Sequence, residues 1–144
     1  SSPVAAKQGS PQLLYHFLRI GVSILAAIFL VLRLAGVPPL LHADPTSDVI
    51  AYVISGIAVV LVLVGVFVLK PGVPGRKAAQ TPAEYWATPK VVQKAMSVWF
   101  MVEGAATFAS IGFLMTGHSV ASAAMVLAIA GFWFGGPGTF ENQK

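Results

Sequence analysis

The chain has 144 residues and a formal net charge of +4, with 56% hydrophobic and only 10% charged residues. A water-soluble domain of this size usually carries about a quarter charged residues, so much of this surface faces something other than water. The absence of cysteine excludes disulfides, thiol redox chemistry and cysteine-ligated metals, and the positive charges flank apolar runs, which points to anionic lipid headgroups and not to nucleic acid.

Four apolar runs, each near the length that crosses a bilayer, predict an all-α integral membrane four-helix bundle, one polytopic domain over residues 1–144. Residues 1–9 read as a loose tail. Ser10-Pro11 is a helix start, because a hydroxyl caps a free N–H and proline at the first helical position loses nothing. It predicts a first helix over about 11–35, stopped by Gly36 and Pro38-Pro39. Ile20 to Leu32 has the length of a secretory leader's apolar core, but Arg33 interrupts it and Leu41-His42-Ala43 is a poor cleavage site, so a membrane helix is expected.

Asp44-Pro45, with Ser47 and Asp48, opens a second helix over about 45–69. Val49 to Leu69 is 21 residues without a charge, too long for a strand despite its Val and Ile content. Lys70-Pro71-Gly72 ends it. In the polar linker that follows, Thr81-Pro82-Ala83-Glu84 fits a capping box and predicts a short interfacial helix over about 82–87, with Tyr85 and Trp86 at headgroup level. Thr88-Pro89 starts a third helix, about 89–116, and a fourth spans about 119–135 before Gly135-Gly136-Pro137. The rest, to Lys144, reads as a polar tail.

Charge orients these helices. The linker carries Lys70, Arg76, Lys77, Lys90 and Lys94 against Glu84 alone, and the N-terminal side carries Lys7 and Arg19. The loop between helices one and two holds Asp44 and Asp48, and Thr116-Gly117-His118 has no formal charge. The positive-inside rule places both termini and the linker in the cytoplasm of a cell inner membrane, with the 70–94 segment against anionic headgroups. Helix two is Val-rich and helix four Ala/Gly-rich, so no internal repeat is visible.

Glu103 is the one carboxylate well inside an apolar segment. A carboxylate in hydrocarbon needs a partner, a proton or a task. Arg19 lies 17 residues before Gly36 and Glu103 lies 14 before Gly117. At 1.5 Å per residue the two depths differ by roughly 4–5 Å, so an Arg19–Glu103 pair is expected. His16, Arg19 and Ser23 share one helix face, and Glu103, Thr107 and Ser110 share another. With Tyr52 and Ser55 on helix two, and Ser119 and Ser122 on helix four, these stripes predict a polar line across the bundle. For the hydroxyls, ordinary helix packing is the plainer role. His16 sits near a helix start and reads as interfacial. His16, His42 and His118 lack ligand spacing, so no metal and no cofactor are expected. Arg33 reads as an anchor or a partner of Asp48.

Small residues predict close helix contacts. Helix three carries Gly104, Ala105, Ala109 and Gly112, and helix four carries Ala124, Ala128, Gly131 and Gly135. Their small-xxx-small spacing predicts a tight hairpin, with another face open to oligomerisation. Helix two, apolar almost all round from Ile57 to Leu69, is expected to face lipid. There is no phosphate loop, nucleophile elbow, HExxH or carboxylate pair, so no catalytic residue is named. Glu103 among its Gly and Ala neighbours resembles the carboxylate hairpin of proton-translocating ring subunits, and four short helices with one glutamate resemble small multidrug exporters. The missing repeat, and a glutamate on the third helix instead of the first, assign the chain to neither. The function expected is non-enzymatic: a small membrane protein that assembles with itself or a larger complex, with Arg19–Glu103 as a buried polar lock. The alternatives are a proton- or ion-coupled transporter or channel subunit titrating at Glu103, and a membrane enzyme acting on a lipid-like substrate near Glu103 and His16.

Overall fold

The computed structural model describes residues 3–41 and 44–143, with side chains from residue 11 onward. His42 lies outside the described residues. These are all helical or loop, with no strand among them: α1 (Pro3–Leu34), α2 (Ser47–Leu63), α3 (Pro82–Ala87), α4 (Pro89–Thr116), α5 (Ser119–Phe134) and α6 (Pro137–Glu141). Three stretches are long and apolar enough to cross a membrane: Pro11–Leu34, Ser47–Gly72 and Pro89–Thr116. α5 is also apolar, but its 16 residues span only about 24 Å at 1.5 Å per residue.

Several helix limits differ from the sequence expectation. α1 begins at Pro3, so Pro11 lies inside the helix and is buried. α2 begins at Ser47, because the Asp44 carboxylate closes a turn on Thr46 instead of capping the helix, accepting from its N–H at 2.9 Å and its hydroxyl at 2.7 Å. At its far end α2 widens into a π-helical stretch, Val64–Leu69, and closes in a 3-10 turn, Lys70–Gly72. The end of α1 is held by Gly36, whose φ of 86° is open to glycine at little cost, and by the Val37 N–H donating to Leu32 O at 3.0 Å.

α4 is the central helix. It packs against α1, α2, α3 and α5, and 50% of its most apolar window is buried, against 11% for α1. The reason lies in its small side chains. Ala105, Ala106 and Ala109 are fully buried and meet Ala58 and Val62 of α2 and Ala121, Ala124 and Ala128 of α5. α2 contributes a single buried stripe, Ala51, Ser55, Ala58, Val62 and Gly65, while Val53, Ile57, Val60 and Phe67 stay exposed. The helix is therefore apolar all round but one-sided in its contacts. At the other end of α4, the Leu41 N–H donates to Met115 O at 2.8 Å, so the loop after α1 satisfies a carbonyl that the helix end leaves open.

A second core is aromatic. Tyr15, Trp86, Trp99, Phe132 and Phe140 pack together where α1, α3, α4, α5 and α6 converge. Tyr85 and Trp86, expected to face headgroups from an interfacial helix, are both 1% exposed and turned into the protein. The segment read as a polar tail folds into α6 and buries Phe140 completely.

Glycines on α4 separate contact from open surface. A Cβ on Gly112 would meet Ile54 Cγ2 at 2.7 Å, whereas one on Gly104 would meet nothing within 4 Å. Gly112→Val is expected to destabilise the fold by about 1–3 kcal/mol through overpacking. Gly104→Ala should match or exceed the wild type, because it removes backbone freedom without a clash. Thermal unfolding in detergent checks both.

Candidate functional site

Glu103 lies on α4 and faces α1. With Phe17, Leu18, Gly21, Val22, Leu25 and Thr107 it lines a groove of about 130 Å³ between the two helices. The groove exists because Gly21 has no side chain to fill it. Glu103 is half-buried, and its Oε1 accepts a hydrogen bond from Thr107 Oγ1 at 3.0 Å, one helical turn on.

Arg19 does not join it. Its guanidinium carbon sits 4.1 Å above the centre of the Trp133 ring, on α5, and its Nη2 is 2.9 Å from His16 Nδ1. The ion pairs within 4.0 Å among the described residues are Arg76–Glu141 and His118–Asp48. The expected Arg19–Glu103 contact is therefore absent, and its absence has a physical cause in the rotation of α1. Tyr15, one turn before Arg19, stacks on Phe132 with centroids 5.1 Å apart and planes at 9°. Its hydroxyl donates to Phe132 O at 2.7 Å. That contact turns the Tyr15–Arg19–Ser23 face toward α5. The Leu18–Val22–Leu25 face is left opposite Glu103. Depth along the helix is compatible with the pair; rotation about the helix is not.

The remaining hydroxyls do not form one line. Ser110 Oγ donates to Ala106 O at 2.7 Å, Ser23 Oγ to Arg19 O at 2.7 Å, and Ser122 Oγ to Ser119 O at 2.8 Å, each within its own helix. Ser55 Oγ is buried without a partner. At the far end, His118 Nδ1 accepts from the Val120 N–H at 3.1 Å and caps α5. Its Nε2 stands 3.7 Å from Asp48, and the Tyr52 ring lies edge-on to it at 5.2 Å. Arg33 lies against Gly117, where a Cβ would be 3.0 Å from its Nε. The small residues of the predicted hairpin fall in two groups. Ala105, Ala109, Ala124 and Ala128 lie in the apolar core, and Gly131 lets Val62 approach. Gly135 is buried beside the aromatic core, its carbonyl accepting from Trp99 Nε1 at 2.9 Å. No three His, Asp or Glu side chains among the described residues are grouped to hold a metal.

Sequence reasoning missed the closure at the linker end. Gln143 Nε2 donates to the carbonyls of Val73 at 2.8 Å and Lys70 at 3.1 Å, and Arg76 reaches Glu141 at 3.8 Å. Tyr85 donates to Pro74 O at 2.6 Å and Lys94 to Gly72 O at 3.2 Å. One signal for α6 was present, since Gly136-Pro137 is a helix start of the kind used elsewhere in the chain.

The protein is thus all-helical, with three helices long and apolar enough to cross a membrane and one half-buried glutamate in a groove beside them. No protein-family model, no curated protein and no solved structure matches the chain.

Burial, and secondarily the Glu141 charge, push the Tyr85 phenol up to about 12. The fold favours the protonated phenol. The stability it adds is complete below about pH 10, the ordinary tyrosine value, and is lost as pH rises through about 12. Phenolate absorbance should show a late component that Tyr85→Phe removes, and the 73–76 segment should become protease-sensitive over the same interval.

Proposed function

We propose that this chain is a small integral membrane protein of four helices that acts by lateral assembly, with itself or with a larger membrane complex, and not by catalysis. α5, though short, would complete the bundle. Both termini and the basic linker would lie on the cytoplasmic side, on the charge argument. The observation that carries the reading is the Glu103 groove. Its carboxylate has a hydroxyl partner, Thr107, and no cation among the described residues. A carboxylate at that depth in hydrocarbon is costly unless something meets it. The groove opens sideways between α1 and α4, and the core clusters behind it are apolar and tightly packed. That arrangement suits a contact made from the side better than a path through the molecule. The lock of the sequence reading is retained in altered form: the partner of Glu103 comes from outside the chain instead of from Arg19.

A second reading has one observation in its favour. Without a cationic partner, Glu103 is suited to take up and release a proton or to hold a small cation, as in a subunit for ion-coupled transport. Native mass spectrometry from nanodiscs separates the two. Assembly predicts a species larger than the monomer, lost in Gly21→Leu, which fills the groove, and weakened in Glu103→Gln. Gly21 is a clean position because a Cβ there meets nothing within 4 Å. A wild type that is strictly monomeric sinks self-assembly, and assembly with a larger complex is then tested by whether Gly21→Leu abolishes co-purification of other membrane proteins with the full chain. If that monomer also drives pH-dependent flux in liposomes, and Glu103→Gln stops it, the transport reading stands.

A further inference from the structure

Arg19 has no part in the Glu103 groove, and its charge is unanswered among the described residues. All five side-chain carboxylates, Asp44, Asp48, Glu84, Glu103 and Glu141, lie among the described residues, and none pairs with it within 4.0 Å. The side chain is nevertheless held in place. It stacks 4.1 Å over the Trp133 ring and lies 5.5 Å from the Tyr15 ring. Trp133 is itself fixed, since its Nε1 donates to Ser23 Oγ at 3.1 Å. A cation over an indole face is favoured, and more so where water is scarce. Nε of Arg19 is buried without a partner, so the free donors are at the outer end of the guanidinium.

His16 adds a second donor. A guanidinium can only donate, so His16 Nδ1, 2.9 Å from Nη2, accepts. The ring proton then resides on Nε2. His16 is exposed, so that N–H is open to a ligand. Around the pair lie large apolar side chains turned outward: Phe17, Ile20 and Phe134 are 67%, 51% and 79% exposed.

We infer that Arg19, His16 and Trp133 form a lateral site for the phosphate of an anionic membrane phospholipid, with its acyl chains on the apolar surface beside them. This rests on the membrane reading proposed above. Helical side chains lean toward the N-terminus, so Arg19 points toward the basic-linker end of α1, where its contact with His16 already places it. Arg19 lies about 12 Å along the helix from Pro11 at 1.5 Å per residue. A long side chain directed that way reaches headgroup level from within the span. A guanidinium offers a phosphate a two-pronged donor, and the site supplies the missing negative charge without a carboxylate from the protein. Trp133 takes the place of a belt aromatic at the same level.

Quenching of tryptophan fluorescence tests the site in the full chain. Trp86 and Trp99 are 1% exposed and Trp133 is 50% exposed, so a brominated acyl chain reports on Trp133. The protein is placed in vesicles of equal phosphatidylglycerol and phosphatidylcholine, with bromine on one or the other. The wild type should be quenched more by brominated phosphatidylglycerol, with a preference well above the roughly fivefold that the charge of one cation gives at an anionic surface. Arg19→Gln should lose the preference. Arg19→Lys keeps the charge, and the fold if Arg19→Gln does not, but lacks the flat fork and should lose most of it. Equal quenching by both lipids in the wild type overturns the site. Full preference in Arg19→Lys also overturns it, because charge alone then suffices. A preference erased by millimolar inorganic phosphate assigns the site to a free anion and overturns the lipid. No quenching by either lipid overturns the membrane reading, and the site with it.

Discussion

The structure depends on α4 being nearly bare over residues 105–112 on the faces it buries. Ala105, Ala106 and Ala109 are fully buried, and Gly112 lets the Ile54 side chain of α2 approach where any Cβ would collide with it. Small side chains bring helix axes close, and close axes let one helix touch several others at once. α4 touches four. Larger residues on those faces would push α2 and α5 apart and leave cavities that apolar side chains could not fill without strain.

The chemistry of the candidate site follows from a smaller contact. Tyr15 stacks on Phe132 and donates its hydroxyl to the same residue's carbonyl. This sets the rotation of α1 about its own axis, and with it the placement of Arg19 relative to Glu103. Arg19 is carried to Trp133 and His16, and Glu103 is left facing the bare side of Gly21. Two half-buried ionisable groups that could have neutralised one another are instead held on different sides of α1. Neither has an oppositely charged side chain within 4.0 Å among the described residues.

Much of the helical order was legible. Apolar runs of bilayer length mark the three long helices, because length and hydropathy are local properties of the chain. Ser, Thr or Asp before Pro marked the starts near Thr81 and Thr88, and Thr81 Oγ1 does accept from the Glu84 N–H at 3.1 Å. The same signal failed at Asp44-Pro45, where the carboxylate closes a turn on Thr46, and at Ser10-Pro11, which the helix runs through. α6 was missed because five residues with one apolar anchor carry no period. Tyr85 and Trp86 were placed at a surface because amphipathic aromatics often sit there; Pro74, Glu141 and Phe140, distant in sequence, decide that they are buried.

Composition, the order of the three long apolar helices and the position of each charged residue along its helix were set by the sequence alone. These depend on the identity and spacing of neighbours along one chain. Which face of each helix is turned to which neighbour follows from packing in three dimensions. Helix rotation is set by contacts between residues far apart in sequence, such as Tyr15 with Phe132 and Trp99 with Gly135. Residues at matching depth on two helices meet only if both rotations allow it, and for Arg19 and Glu103 they do not.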